Sequence, residues 1–218
     1  MVIKKCYLLC LFLIVLSSKG IYSQSLGVVY EGSSFNLNNL FYHNGYSLSG
    51  MIKNLYVNFN TKISNDFIAS TRIGYGWDNH KSVNTSEGVE SFSEENINGF
   101  PVEAEIKYKH LLTSDSIFEP IVGLGFGYYN YTTTRKNESS NEMELITKGF
   151  GQYLTFGCNI HISKSLFSCI QFKKMMLNSI TTKYEEGDTI LEKDFVQESG
   201  MNNLAISIGL FFSLSADK

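Results

Sequence analysis

The sequence predicts an all-β fold of eight antiparallel strands in up-and-down order, and three observations carry that prediction. Apolar and polar residues alternate with period two along most of the chain, the pattern of strands with two unlike faces. Short and long connections alternate strictly, as in a meander whose long loops all lie at one end. Pro numbers only 2 while Phe and Tyr number 16 and 13, a composition that suits strands and not linkers.

Each strand follows in order. The first, around Leu26 to Leu37, has the weakest pattern and is required for closure. Leu55 to Ile63 sets Leu55, Val57, Phe59 and Ile63 against Asn54, Tyr56, Asn58, Asn60 and Lys62. Phe67 to Trp77 sets Phe67, Ala69, Ile73, Tyr75 and Trp77 against Ser70, Arg72, Gly74 and Gly76. Phe100, Val102, Ala104, Ile106 and Tyr108 oppose Glu103, Glu105, Lys107 and Lys109. Phe118 to Tyr128 places Val122, Leu124, Phe126 and Tyr128 opposite Gly123, Gly125 and Gly127. Phe150 to Ile162 opposes Leu154, Phe156, Ile160 and Ile162 to Gly151, Tyr153, Thr155 and Asn159. Leu166 to Phe172 is weaker, with Ile170 and Phe172 opposite Gln171 and Lys173. Leu204 to Leu214 closes the series, its Leu, Ile and Phe residues opposing Asn203, Ala205, Ser207 and Gly209.

Ser64-Asn65, Thr113 to Ser116 and Ser163 to Ser165 read as tight turns. Long polar loops are predicted at Asn38 to Ser49, Asp78 to Asn98, Thr132 to Thr147 and Thr181 to Ser199. Of the 21 acids, 14 fall in the last three, Asp78 and Glu95 among them. They read as a solvated coat or, more sharply, as cation-bridged contacts to lipopolysaccharide or a basic partner.

The chain opens as an exported protein does. Lys4 and Lys5 precede an apolar run from Cys6 to Leu16, and Ser17 to Gln24 is polar with small residues, so residues 1–24 are predicted to be a signal peptide and 25–218 the barrel domain. Its removal takes the formal charge from −3 to −6 and leaves Cys158 and Cys169, predicted to lie on opposite faces as free thiols. No apolar run reaches the ~18 residues of a membrane helix. Without a basic tract, a nucleic-acid partner has no electrostatic support.

Alternation alone leaves open which face points inward. A soluble lipocalin-like carrier would put its apolar face around a ligand. Three features favour the inverse, a transmembrane β-barrel. Gly123, Gly125 and Gly127 suit a crowded interior. Charges on neighbouring polar faces can pair, Arg72 being expected level with Glu105 and Lys107. Tyr75, Trp77, Tyr108, Tyr128, Tyr131, Phe150, Phe211 and Phe212 collect near strand ends as interface girdles do. The lumen is then expected to hold a structural polar cluster of Arg72, Glu103, Glu105, Lys107, Gln171 and Lys173, with Tyr56 beside it.

Pro120-Ile-Val-Gly-Leu-Gly-Phe-Gly-Tyr-Tyr129, Phe100-Pro-Val-Glu-Ala-Glu-Ile-Lys-Tyr108 and Leu204-Ala-Ile-Ser-Ile-Gly-Leu-Phe-Phe212 resemble strands of the small OmpA/OmpX-type outer-membrane β-barrels, the porin-family barrels of Gram-negative cell envelopes. The resemblance implies a monomeric barrel in contact with outer-membrane lipid and lipopolysaccharide, inserted by the outer-membrane assembly machinery, without cofactor or enzymatic activity. Some barrels of this kind remodel lipid A, which needs a nucleophile beside a base. His161 and Ser163 are the nearest candidates, and they read as a polar strand-end pair. His43, His80 and His110 are scattered, so no metal site is expected.

Overall fold

A computed structural model of the chain describes residues 24–36, 49–86, 89–110, 116–137, 142–186, 189–195 and 203–214. Nearly all of the predicted signal peptide and of the first long loop, and the Thr113 to Asp115 part of one tight turn, lie outside these. Every element among the described residues is a strand: β1 (Gln24–Asn36), β2 (Ser49–Lys62), β3 (Phe67–Ser86), β4 (Val89–Gly99), β5 (Val102–Lys109), β6 (Phe118–Asn137), β7 (Glu142–His161), β8 (Leu166–Glu186), β9 (Thr189–Phe195) and β10 (Asn203–Ser213).

Ten strand segments make an eight-membered ring because two of them are parts of one barrel strand and one lies off the ring. Pro101 lacks an N–H and leaves a gap in the ladder between β4 and β5. Its carbonyl still accepts the Gly74 N–H at 2.9 Å, and the Phe100 N–H donates to the Asn130 carbonyl at 2.9 Å. Register against β3 runs on from Ile73↔Val102 to Gly76↔Gly99, so β4 and β5 act as a single strand. The pairs Val28↔Leu210 and Ile208↔Ile170 tie β10 to β1 and β8, which closes the sheet. β9 pairs with the outer part of β8, Ile180↔Phe195 to Glu186↔Thr189.

Closure turns alternation into an inside and an outside. Val57 is 59% exposed and its neighbour Tyr56 is fully buried. The same alternation holds around the ring: Val28, Ile73, Ile106, Leu124, Phe156, Ile206 and Leu210 are exposed, whereas Glu31, Arg72, Glu103, Glu105, Lys107, Gln171 and Lys173 are buried. The apolar belt faces out and the charges face in, the reverse of the lipocalin-like arrangement. Aromatic contacts edge the belt on both sides: Tyr75 with Phe100 and Trp77 and Tyr128 with Phe150 at one end, Phe67 with Tyr108 at the other.

Four expectations need correction. Three of the long polar stretches are laddered hairpins: β3 pairs β4 as far as Ser86↔Val89, β6 pairs β7 to Lys136↔Glu142, and β8 continues to Glu186. Their backbone groups are satisfied strand to strand beyond the belt, so these segments are a wall of sheet standing on the barrel. Asp78 and Glu95 are buried within that part and are not coat residues. Tyr131 and Phe211 are buried in the lumen, because each is one residue out of phase with its outward neighbours. Arg72 lies opposite Glu103, while Glu105 pairs Ser70 and Lys107 pairs Ile68. The connection between Lys109 and Phe118 is longer than the turn at residues 63–66, and counting inward from both as equal turns puts the expected level at Glu105 and Lys107, two and four residues from Glu103.

Candidate functional site

The lumen is where this chain concentrates its chemistry, and its centre is a layer of four charges. Glu31 comes from β1, Arg72 from β3, Glu103 from β5 and Lys173 from β8. The Lys173 ammonium lies 2.7 Å from Glu31 Oε1 and 2.9 Å from Glu103 Oε1. Arg72 donates to Glu103 Oε2 from Nε at 2.5 Å and also pairs it through Nη2, while Nη2 lies 3.3 Å from Glu31 Oε2. Two cations thus face two carboxylates in a space closed to solvent. Buried charges persist only with such partners, because each has lost its hydration.

Tyrosines complete the layer. Tyr129 donates to Glu103 Oε1 at 2.9 Å, and Tyr56 reaches Glu103 at 3.2 Å and Glu31 at 3.3 Å. The Arg72 guanidinium stands 4.7 Å from the centre of the Tyr56 ring, and the Lys173 ammonium 5.2 Å from that of Tyr153. Ring faces carry negative electrostatic potential, so both cations gain attraction that carboxylates alone do not supply.

Toward the tight-turn end a second group forms. Lys107 lies 3.4 Å from Glu105 one step along its own strand face, and Thr155 donates to the same Glu105. Gln171 is buried nearby on β8 but is joined to neither group by a hydrogen bond, and its amide nitrogen has no partner among the described residues. At the mouth of that end Glu119 accepts from Lys109 at 3.0 Å and from Asn159 at 2.7 Å. His161 Nε2 stands 4.0 Å from Glu119, and Ser163 sits in the exposed turn, so the two form no nucleophile–base pair. Beside these charges lies an apolar cluster inside the barrel: Val29, Ile121, Cys169 and Phe211, with Phe167 stacked on Phe211 at 5.0 Å. Cys158 sits on the other face and both thiols are free.

Large interior rings fit because small residues face them. A Cβ placed on Gly125 would fall within the Tyr153 ring, and one on Gly74 within contact of Tyr56. Phe211 is accommodated in the same way by Gly27 and Gly209. In a small barrel, a strand that gives up its side chains lets its neighbour's cross the axis.

The six residues expected in the lumen are all buried, but they divide into groups. Arg72, Glu103 and Lys173 meet in the central layer, Glu105 and Lys107 form the next, and Gln171 joins neither. Glu31, Tyr129 and Tyr153 are the members that the sequence reading does not assign to this cluster. Tyr153 has the right parity to be found. Glu31 is hidden among the Gly and Ser residues of β1, and Tyr129 directly follows Tyr128, which faces the other way.

No family model matches the chain, and no curated protein matches it. Solved structures do. The fold is similar to that of a major outer membrane protein from Thermus thermophilus, with a TM-score of 0.53, 10% identity, and 87% of this chain covered against 99% of that one. It is also similar to Ail, the attachment invasion locus protein of Yersinia pestis, with a TM-score of 0.50, 9% identity, and coverage of 89% and 100%. Sequence identity this low carries the fold and nothing beyond it. The chain is an eight-stranded up-and-down transmembrane β-barrel, with the architecture of the small OmpA/OmpX-type outer-membrane barrels.

Proposed function

We propose that the protein is an exported, integral outer-membrane barrel, with residues 1–24 as its signal peptide, and that its role is envelope-structural or surface contact, not catalysis. The observation that carries this reading is the pairing of an exposed apolar belt with a lumen of mutually neutralised buried charges. Such a belt is stable against hydrocarbon and unstable against water. A closed sheet also leaves no unpaired edge for lipid to meet. The lumen cluster of Arg72, Glu103, Glu105, Lys107, Gln171 and Lys173 serves as a plug that holds the strands in register. The proposed partners are outer-membrane lipid and lipopolysaccharide around the belt and the assembly machinery during insertion, with the barrel acting as a monomer.

Fractionation of the expressed chain, followed by electrophoresis with and without boiling, tests this reading. A closed membrane barrel stays folded in detergent until boiled, so the expected result is an outer-membrane band whose mobility changes on heating. A periplasmic protein of unchanged mobility would sink the proposal.

A further inference from the structure

Lys173 and Lys174 are neighbours in β8 with opposite surroundings. Lys173 points inward and is held by Glu31 and Glu103 in the central layer. Lys174 is exposed on the outer wall, where its ladder partners are the exposed Leu154 of β7 and Leu204 of β10. The outward positions around it carry no acid: Phe172 lies below it on β8, Phe156 and Gln152 lie diagonally on β7, and Ile206 lies diagonally on β10. It also stands inside the apolar belt. On β7 the outward series runs Leu154, Gln152, Phe150, and Phe150 makes the contact with Tyr128 that edges the belt, two outward positions beyond the row of Lys174.

A lysine in that place is unfavourable against hydrocarbon unless its long stem carries the ammonium to the interface. Gln152 makes a similar demand, as an exposed amide in register with Phe126 and Met176. Diagonal neighbours on adjacent antiparallel strands lie within reach of long side chains, so a charged and a neutral donor share one spot on the outer wall. Among the described residues, neither side chain makes a hydrogen bond or an ion pair with the protein. Toward the tight-turn end, Phe156 and Phe172 stack at 5.1 Å with 13° between their planes, and with Leu154 and Leu204 they form an apolar shelf. Donors above a hydrocarbon surface match a molecule that has an anionic head and acyl chains.

We propose that Lys174 and Gln152 form a docking site for the phosphate headgroup of an outer-leaflet lipid, whose acyl chains lie over the Phe156–Phe172 shelf. The Lys174 ammonium supplies the charge and the Gln152 amide donates a further hydrogen bond. The phosphate gives Lys174 the anionic partner that Lys173 finds inside the lumen. The site rests on the membrane reading given above and adds which lipid chemistry meets which residues.

The test uses the folded protein in dodecyl maltoside micelles, which carry no phosphate, and adds lipid A bearing both of its phosphates. The reading is the temperature at which the folded gel band is lost. A saturable rise is expected for the unaltered protein, with half-saturation at least about tenfold weaker in Lys174→Leu, a smaller weakening in Gln152→Leu, and binding kept in Lys174→Arg. The same rise in Lys174→Leu as in the unaltered protein would overturn the site. An equal rise with lipid A stripped of its phosphates would overturn it too, since the chains alone would then bind. So would an equal rise with inorganic phosphate in place of the lipid, since a free anion would then suffice. Without lipid A, Lys174→Leu is expected to be at least as stable as the unaltered protein, because it takes a charge out of the belt. Failure of the membrane reading looks different: the chain would stay soluble without detergent and its band would not shift on boiling. A detergent-dependent, heat-shifted barrel with no response to the phosphates refutes the site alone.

Discussion

Two layers of one lumen are filled by opposite means. At the centre, Glu31, Arg72, Glu103 and Lys173 bring together charges from four strands, with three tyrosines around them. Toward the tight-turn end, beside the smaller Lys107–Glu105 group, Val29, Ile121, Cys169 and Phe211 form an apolar layer that packs as any soluble core would. The central layer depends on number and geometry of partners, since every charge there is matched and a missing one strands the rest. The apolar layer depends on volume, and volume can be redistributed. A barrel of this size needs its interior filled, and the two layers show that the filling is not bound to one chemistry.

Removing a shared carboxylate is the strongest way to break that contrast. Glu103→Gln takes a partner from Arg72, Lys173, Tyr56 and Tyr129 at once. The expected loss is about 3–5 kcal/mol, read from the urea midpoint at which the heat-shifted band disappears. A loss below about 1 kcal/mol, the level of an exposed pair, would mean that charge pairing does not hold the layer together. Next in size is crowding. Gly125→Val pushes a side chain into the Tyr153 ring and should cost about 1–3 kcal/mol, much of it recovered when Tyr153→Leu is added. If the double variant is no more stable than Gly125→Val alone, the glycine is not there to admit the ring. The smallest effect belongs to the apolar layer. Ile121→Leu keeps the volume and should cost less than about 1.5 kcal/mol; a loss equal to that of Glu103→Gln would erase the distinction between the layers.

The belt was legible in the sequence because hydrocarbon outside and polar groups inside enforce strict alternation on Leu55 to Ile63, Phe100 to Tyr108 and Leu204 to Leu214. Orientation was legible from glycines and charges on the same face. What alternation could not convey was height. Arg72 is expected level with Glu105 and Lys107, two and four residues from its true partner Glu103, since register depends on how wide each turn is and not on strand composition. Nor could it separate the polar hairpins from loops. Once a strand leaves the bilayer, residues such as Asn130, Thr132 and Lys136 face water on the side that was apolar below, and the signal that marks a membrane strand is gone. Tyr131 and Phe211 depart from the expected girdle for a related reason: an aromatic near a strand end serves equally as interface anchor or as plug, and a single residue of phase decides which.

The central layer also bears on the order in which the barrel can be completed. Its members lie at positions 31, 72, 103 and 173 of the chain, three in the first half and Lys173 only on β8. A sheet built from β1 through β6 holds two carboxylates against one guanidinium, an excess negative charge at the site of closure. An uncompensated charge in a water-poor interior is costly, so that intermediate keeps its open side wet. Arrival of β8 delivers the missing ammonium to both carboxylates at the same time as it brings β10 within reach of β1. Neutralisation of the lumen and sealing of its wall are thereby one event, and an unfinished barrel is disfavoured from drying out before its last strands are in place.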